Sequence, residues 1–75
     1  MPRYYFNFYH DRPEMDTEGQ DFPNPEAAWN DAVRFTSEMM EELKTRFRPG
    51  QEWKVEVTDG TNAVLFVIRI KAEAL

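Results

Sequence analysis

Chemistry in this 75-residue chain could begin at its single histidine, His10, which is followed directly by Asp11. A histidine beside a carboxylate is a ready acid–base pair. A nucleophile for that pair to activate is missing, because there is no cysteine and the one serine, Ser37, falls on the polar side of a helical stretch. His10 also ends an aromatic run, where a solvated strand end accounts for it. Glu14, Asp16, Glu18 and Gly19 echo the start of a calcium loop, but Pro25 stands where such a loop needs its glutamate six residues beyond the glycine. Three glycines cannot assemble a phosphate-cradling loop or a dinucleotide fingerprint. The expectation is a non-enzymatic chain with no metal and no cofactor.

Binding chemistry is better represented. Arg3, Tyr5, Asn7 and Tyr9 alternate in one run, Lys54, Glu56 and Thr58 in a second, and Leu65, Val67, Arg69 and Lys71 in a third. In strands these would share one face of a sheet. Two tyrosines and two aliphatics at its centre with a charged rim match the anatomy of a protein interface. The first expectation is therefore a self-associating interaction or regulatory module, most simply a homodimer with sheet faces or edges apposed. Tyr5, Tyr9, Leu65 and Val67 form its contact centre. The alternative is a single-stranded nucleic-acid binder that stacks bases on the tyrosines and holds phosphates with Arg3, Lys54, Arg69 and Lys71. Against it stands a net charge of −5, from 14 acidic and 9 basic residues. The plainest reading is an ordinary sheet face wetted by lysine and arginine stems.

These side chains need elements to position them. Aromatics favour strands, and Arg3 to His10 reads as one, with Tyr4, Phe6 and Phe8 turned inward. Asp11 to Asn24 is an acidic connection, long enough to suggest a short strand within Gly19 to Phe22. Asn24 is a good helix cap, and Pro25 suits the first helical position, where its missing N–H costs nothing. With Lys44, Arg46 and Arg48 complementing the far end of the dipole, the helix is expected from Pro25 to about Phe47. Its apolar residues, among them Ala28, Trp29, Ala32, Val33, Phe35, Met39, Met40, Leu43 and Phe47, fill an arc of roughly 160°, wider than an ordinary amphipathic stripe. Trp29 and Met40 at the arc's edge are thus a second candidate contact surface, unless the acidic connection folds back and covers Trp29 through Phe22.

Trp53, Val55 and Val57 alternate with polar residues, Thr58 to Asn62 supplies a turn through Asp59-Gly60, and Ala63 to Lys71 follows as the last strand. Val64, Phe66, Ile68 and Ile70 share its inner face. Because Leu65 and Val67 make it apolar on both faces, it is expected at the centre of the sheet; if the first strand lies beside it, the crossover through the helix takes its usual right-handed form. The fold class is α+β, a two-layer single domain over residues 1–75. One long helix packs on a three- to four-stranded, mainly antiparallel sheet in the order β-(β)-α-β-β.

Met1-Pro2-Arg3-Tyr4-Tyr5-Phe6, Asp16-Thr17-Glu18-Gly19, Phe22 to Ala28 and Val55 to Asp59 together resemble a family of short alphaproteobacterial proteins, a domain of unknown function. That resemblance spans nearly the whole chain and implies no activity. A fainter similarity to antitoxin-like domains, in which strands precede a helix, implies a protein partner.

A chain of this size buries only about 60% of the surface its unfolded form exposes, and self-association adds to that. No apolar run is long enough to span a bilayer, and the N-terminus lacks a signal peptide's pattern. Without cysteine, a cytoplasmic setting and no membrane partner are expected.

Overall fold

The computed structural model describes residues 2–75. Six elements follow along the chain: β1 (Arg3–Tyr9), β2 (Pro13–Glu14), β3 (Gln20–Asp21), α1 (Pro25–Leu43), β4 (Glu52–Thr58) and β5 (Val64–Lys71). The strands form one antiparallel sheet in the order β2-β1-β4-β5, with β3 also paired to β1, and α1 packs on one face. This is the expected two-layer α+β fold.

The interior strand is β4, not β5. The turn after Thr58 folds β5 onto one side of β4, and β1 takes the other side, Tyr5 opposite Thr58 and Tyr9 opposite Lys54. The alternation of β4 suits that place, because Trp53, Val55 and Val57 are buried between β1, β5 and the helix. The expectation of a central last strand is therefore corrected: β5 is an edge. β1 lies beside β4 and antiparallel to it, so the parallel crossover through the helix joins β3 to β4, both antiparallel to β1, and does not join β1 to β5. A register shift at Val57/Thr58 sets Val64 opposite Thr58. Opposed residues share a face, so Val64 leaves the face of Phe66, where simple alternation had put it.

Asn24 caps the helix as its position predicts, its Oδ1 accepting from the Ala27 amide at 2.9 Å. The helix stops at Leu43, one turn short of the expected end at Phe47. The amides of Arg46 and Phe47 both fall on the Leu43 carbonyl, and the Phe47 ring turns to meet Trp53 at 4.2 Å between centroids. Lys44, Arg46 and Arg48 consequently follow the helix instead of occupying its last turn. Ala28 and Ala32, both fully buried, let the helix approach Tyr4 and Val57, while Leu43 closes over Phe8, Trp53 and Val55. Burying side chains such as Val57 or Leu43 is worth about 1.5–3 kcal/mol each.

The acidic connection is more ordered than its composition suggests. β2 and β3 both pair with β1, with Phe8 opposite Glu14 and Arg3 opposite Asp21. They are two halves of one returning strand, interrupted between Met15 and Gly19. Phe22 packs against Tyr4 and Phe6, at 5.9 and 6.0 Å between centroids. Trp29 lies instead against Phe66, at 5.2 Å. The connection therefore covers the β1 side of the core, and the expected cover of Trp29 by Phe22 does not form.

Candidate interaction surfaces

The sheet's outer face is built in rows across β1, β4 and β5: Tyr5–Thr58–Val64, Asn7–Glu56–Val67 and Tyr9–Lys54–Arg69. The four residues expected at one contact centre are thus split. Tyr5 and Tyr9 stand on β1, Leu65 and Val67 on β5, and Lys54 and Glu56 lie between them.

On the β1 side the polar groups satisfy one another. Tyr9 donates to Glu56 Oε1 at 3.0 Å and reaches Met15 Sδ at 3.5 Å, and Lys54 Nζ sits 4.3 Å above its ring. Burial first, then the hydrogen bond to Glu56 and that residue's charge, raises the Tyr9 phenol above its ordinary value. Asn7 stands on the outer face as expected but is buried there, and its Oδ1 accepts from the Asp16 amide at 3.0 Å. Asp16 accepts in return from the amides of Phe6, Glu18 and Gly19 at 3.0–3.1 Å. Burial alone would raise the Asp16 carboxyl. The hydrogen bonds from Gly19, Phe6 and Glu18 and the charge of Arg3 outweigh it, so the group lies below its ordinary value. Tyr5, Asn7, Met15 and Thr58 enclose a cleft of about 160 Å³. Sequence reasoning missed the Asn7–Asp16 contact, since nothing periodic marks it.

The expected phosphate-holding set is largely engaged. Arg3 binds Asp21 Oδ1 at 3.1 Å and the Glu18 carbonyl at 2.7 Å, Lys54 lies 3.5 Å from Glu56, and Lys71 lies 3.4 Å from Glu73. Among the described residues Arg69 has no carboxylate within 4.0 Å. His10 lies closer to Glu14, at 3.3 Å, than to Asp11, at 4.0 Å. It stands at the rim of a cleft of about 390 Å³ over Phe8, Leu43 and Trp53, where charges of both signs mix. No cluster of three metal-ligating side chains occurs among the described residues.

The β5 side is open. Val64, Leu65 and Val67 are 51, 38 and 39% exposed. The side chains of Phe66, Ile68 and Ile70, under the helix side, are only half-buried. Above Phe66, Trp29 is 37% exposed and Val33 43% exposed, and with Glu26 the two rings border an apolar groove of about 400 Å³. Met40 lies at the other end, half-buried against the Leu43–Trp53 cluster. Of the second candidate pair, only Trp29 joins the β5 side.

On its outward side the backbone of this edge pairs with no strand among the described residues. The Ala72 amide donates to the Gln51 carbonyl at 3.0 Å, and the Ala72 carbonyl accepts from Gly50 at 2.7 Å, so Ala72 faces β4. Strand alternation then turns Ile70, Ile68 and Phe66 toward β4, and the N–H and C=O groups of Lys71, Arg69 and Val67 toward the free side.

The family described as "Domain of unknown function (DUF6894)" matches residues 3–71, so the chain belongs to that family. The expected kinship with a domain of unknown function holds at that level. Comparison with curated proteins and with solved structures finds no match. Among the described residues no helix is long and apolar enough to cross a membrane.

Proposed function

We propose that this member of the family is a non-enzymatic interaction module that associates with a second copy of itself through its sheet. One observation carries the reading: β5 is an eight-residue edge strand, apolar on its inner face and on its outer face as far as Val67, whose outward ladder groups pair with no strand among the described residues. Such an edge is a template for another strand, and proteins ordinarily blunt it or cover it. The two-sided apolar pattern is that of a strand inside a sheet, a place β5 reaches only in an assembly. The lack of cysteine fits a cytoplasmic setting.

Light scattering over a concentration series tests the proposal. Wild type is expected at twice the chain mass. Leu65→Ser with Val67→Ser, both at exposed positions, is expected to return it to the chain mass with its circular dichroism unchanged. A wild type that stays monomeric at the highest attainable concentration overturns the reading.

The second reading, single-stranded nucleic acid on the outer face, draws on the unpaired Arg69. The carboxylate partners of Arg3, Lys54 and Lys71 weigh against it, because phosphates would have to displace them. Binding to labelled single-stranded RNA at low salt that falls steeply as salt rises would favour it over self-association.

A further inference from the structure

Resting on that self-association, we infer how the two copies meet: β5 pairs with β5 of a second copy, antiparallel, across a two-fold axis at Ile68, and Trp29 of each copy fills the groove above. The free-edge groups of Val67 and Arg69 fix the alternatives. An axis at Arg69 would set two guanidinium groups opposite each other, which is unfavourable. An axis at Ile68 sets Val67 opposite the partner's Arg69 and Phe66 opposite the partner's Ile70. It uses the regular part of β5 and avoids the register shift near Val64. It also directs the one guanidinium of this face without a carboxylate toward the row that holds Glu56. Every inner-face pair is then apolar, and no like charges are directly opposed.

The same symmetry decides what covers the second layer. A two-fold axis relating antiparallel strands of one sheet is normal to the sheet, so both helices lie on the same side. α1 sits over β4, and β4 and its copy are three strand spacings apart, about 14 Å. Helices in direct contact are about 8–10 Å apart. The difference must be filled by large side chains, and Trp29, standing on Phe66, is the large one at this border. β5 alone is about 27 Å long. With side chains on both faces and the helix border above it, the strip is on the order of the 800 Å² per partner that stable interfaces remove.

Cysteine substitution tests this cleanly because the chain has none of its own. Ile68 would face itself in a pair without ladder hydrogen bonds, where Cβ atoms approach to about 4.5 Å, near disulfide geometry. Oxidised Ile68→Cys is expected to become a covalent dimer. Val67→Cys is expected to cross-link when mixed with Arg69→Cys but not alone; both positions are exposed, so the fold is kept. Trp29→Ala is expected to weaken the dimer at least about tenfold. Wild type that is dimeric by light scattering, with neither Ile68→Cys nor the mixture cross-linking, overturns this arrangement and leaves self-association standing. Efficient cross-linking of Val67→Cys alone overturns the Ile68 axis, and an unchanged dissociation constant for Trp29→Ala overturns the second layer. A monomeric wild type removes this inference together with the reading it rests on.

Discussion

β1 and β5 flank the same central strand and are nearly equal in length, seven and eight residues, yet their outward sides differ. Beyond β1 the chain returns as β2 and β3, and where these break, the Asp16 carboxylate takes the Phe6 amide that a strand carbonyl would have taken. Beyond β5 no further strand pairs among the described residues. The difference is one of satisfied backbone groups, not of hydrophobicity. A side chain closes the first edge inside the protomer, and the second has no internal substitute. An edge closed this way costs loop order and a half-buried carboxylate, whereas a bare edge is tolerated where another strand covers it. That contrast is the physical ground for placing function at β5 instead of at the tyrosines of β1.

The closed edge should break most severely at Gly19. Its backbone has φ +72°, and an added Cβ would lie 2.8 Å from Arg3 Cγ and from Tyr5 Cε2 and 2.9 Å from the Tyr4 carbonyl oxygen. Gly19→Ala combines left-handed strain with overlap and is expected to cost about 3 kcal/mol in urea unfolding, a large share of the total for a domain this small. Asp16→Ala leaves the amides of Phe6, Glu18 and Gly19 without their acceptor and should cost about 2 kcal/mol by the same measurement. Gly19→Ala or Asp16→Ala proteins as stable as wild type would show the edge to be closed by something else.

Acid should act on the same point. The Asp16 carboxyl is lowered from an ordinary value of 3.8. Its stabilisation is therefore complete above that value and is lost as pH falls through the lower folded one. Thermal midpoints of wild type should fall below about pH 4, and Asp16→Asn should flatten that fall. A fall of equal depth in both proteins would assign acid sensitivity elsewhere.

The smallest effect is expected on the open edge. Val67→Lys should alter the unfolding free energy of the monomer by no more than about 0.5 kcal/mol, because the side chain is exposed there. It should nevertheless remove the rise of the wild-type thermal midpoint with protein concentration that linkage requires of a dimer. A wild-type midpoint independent of concentration would erase the contrast between the two edges.

Much of this was legible from local signals. Asn24 with Pro25 marked the start of the helix, because capping needs only neighbours in sequence. Tyr4, Phe8, Val55 and Val57 showed their inward face by alternation. The partnership of Asn7 with Asp16 was not legible, since it joins two residues across a broken strand, and alternation gives the face of Asn7 but not what covers it. The helix end was misjudged because Phe47 follows Trp53, a contact six residues ahead that no propensity contains.

Periodicity and capping are properties of short stretches, and they specify the fold class, the helix and the faces of β1 and β4 without reference to the rest of the chain. The same local pattern makes β5 apolar on both sides as far as Ile68. The place of β5 in the sheet came from contacts distant in sequence. A two-sided apolar strand must be covered, but its pattern is the same whether the cover comes from its own chain or from another. In this protein the turn after Thr58 and the claim of β1 on β4 leave β5 outermost.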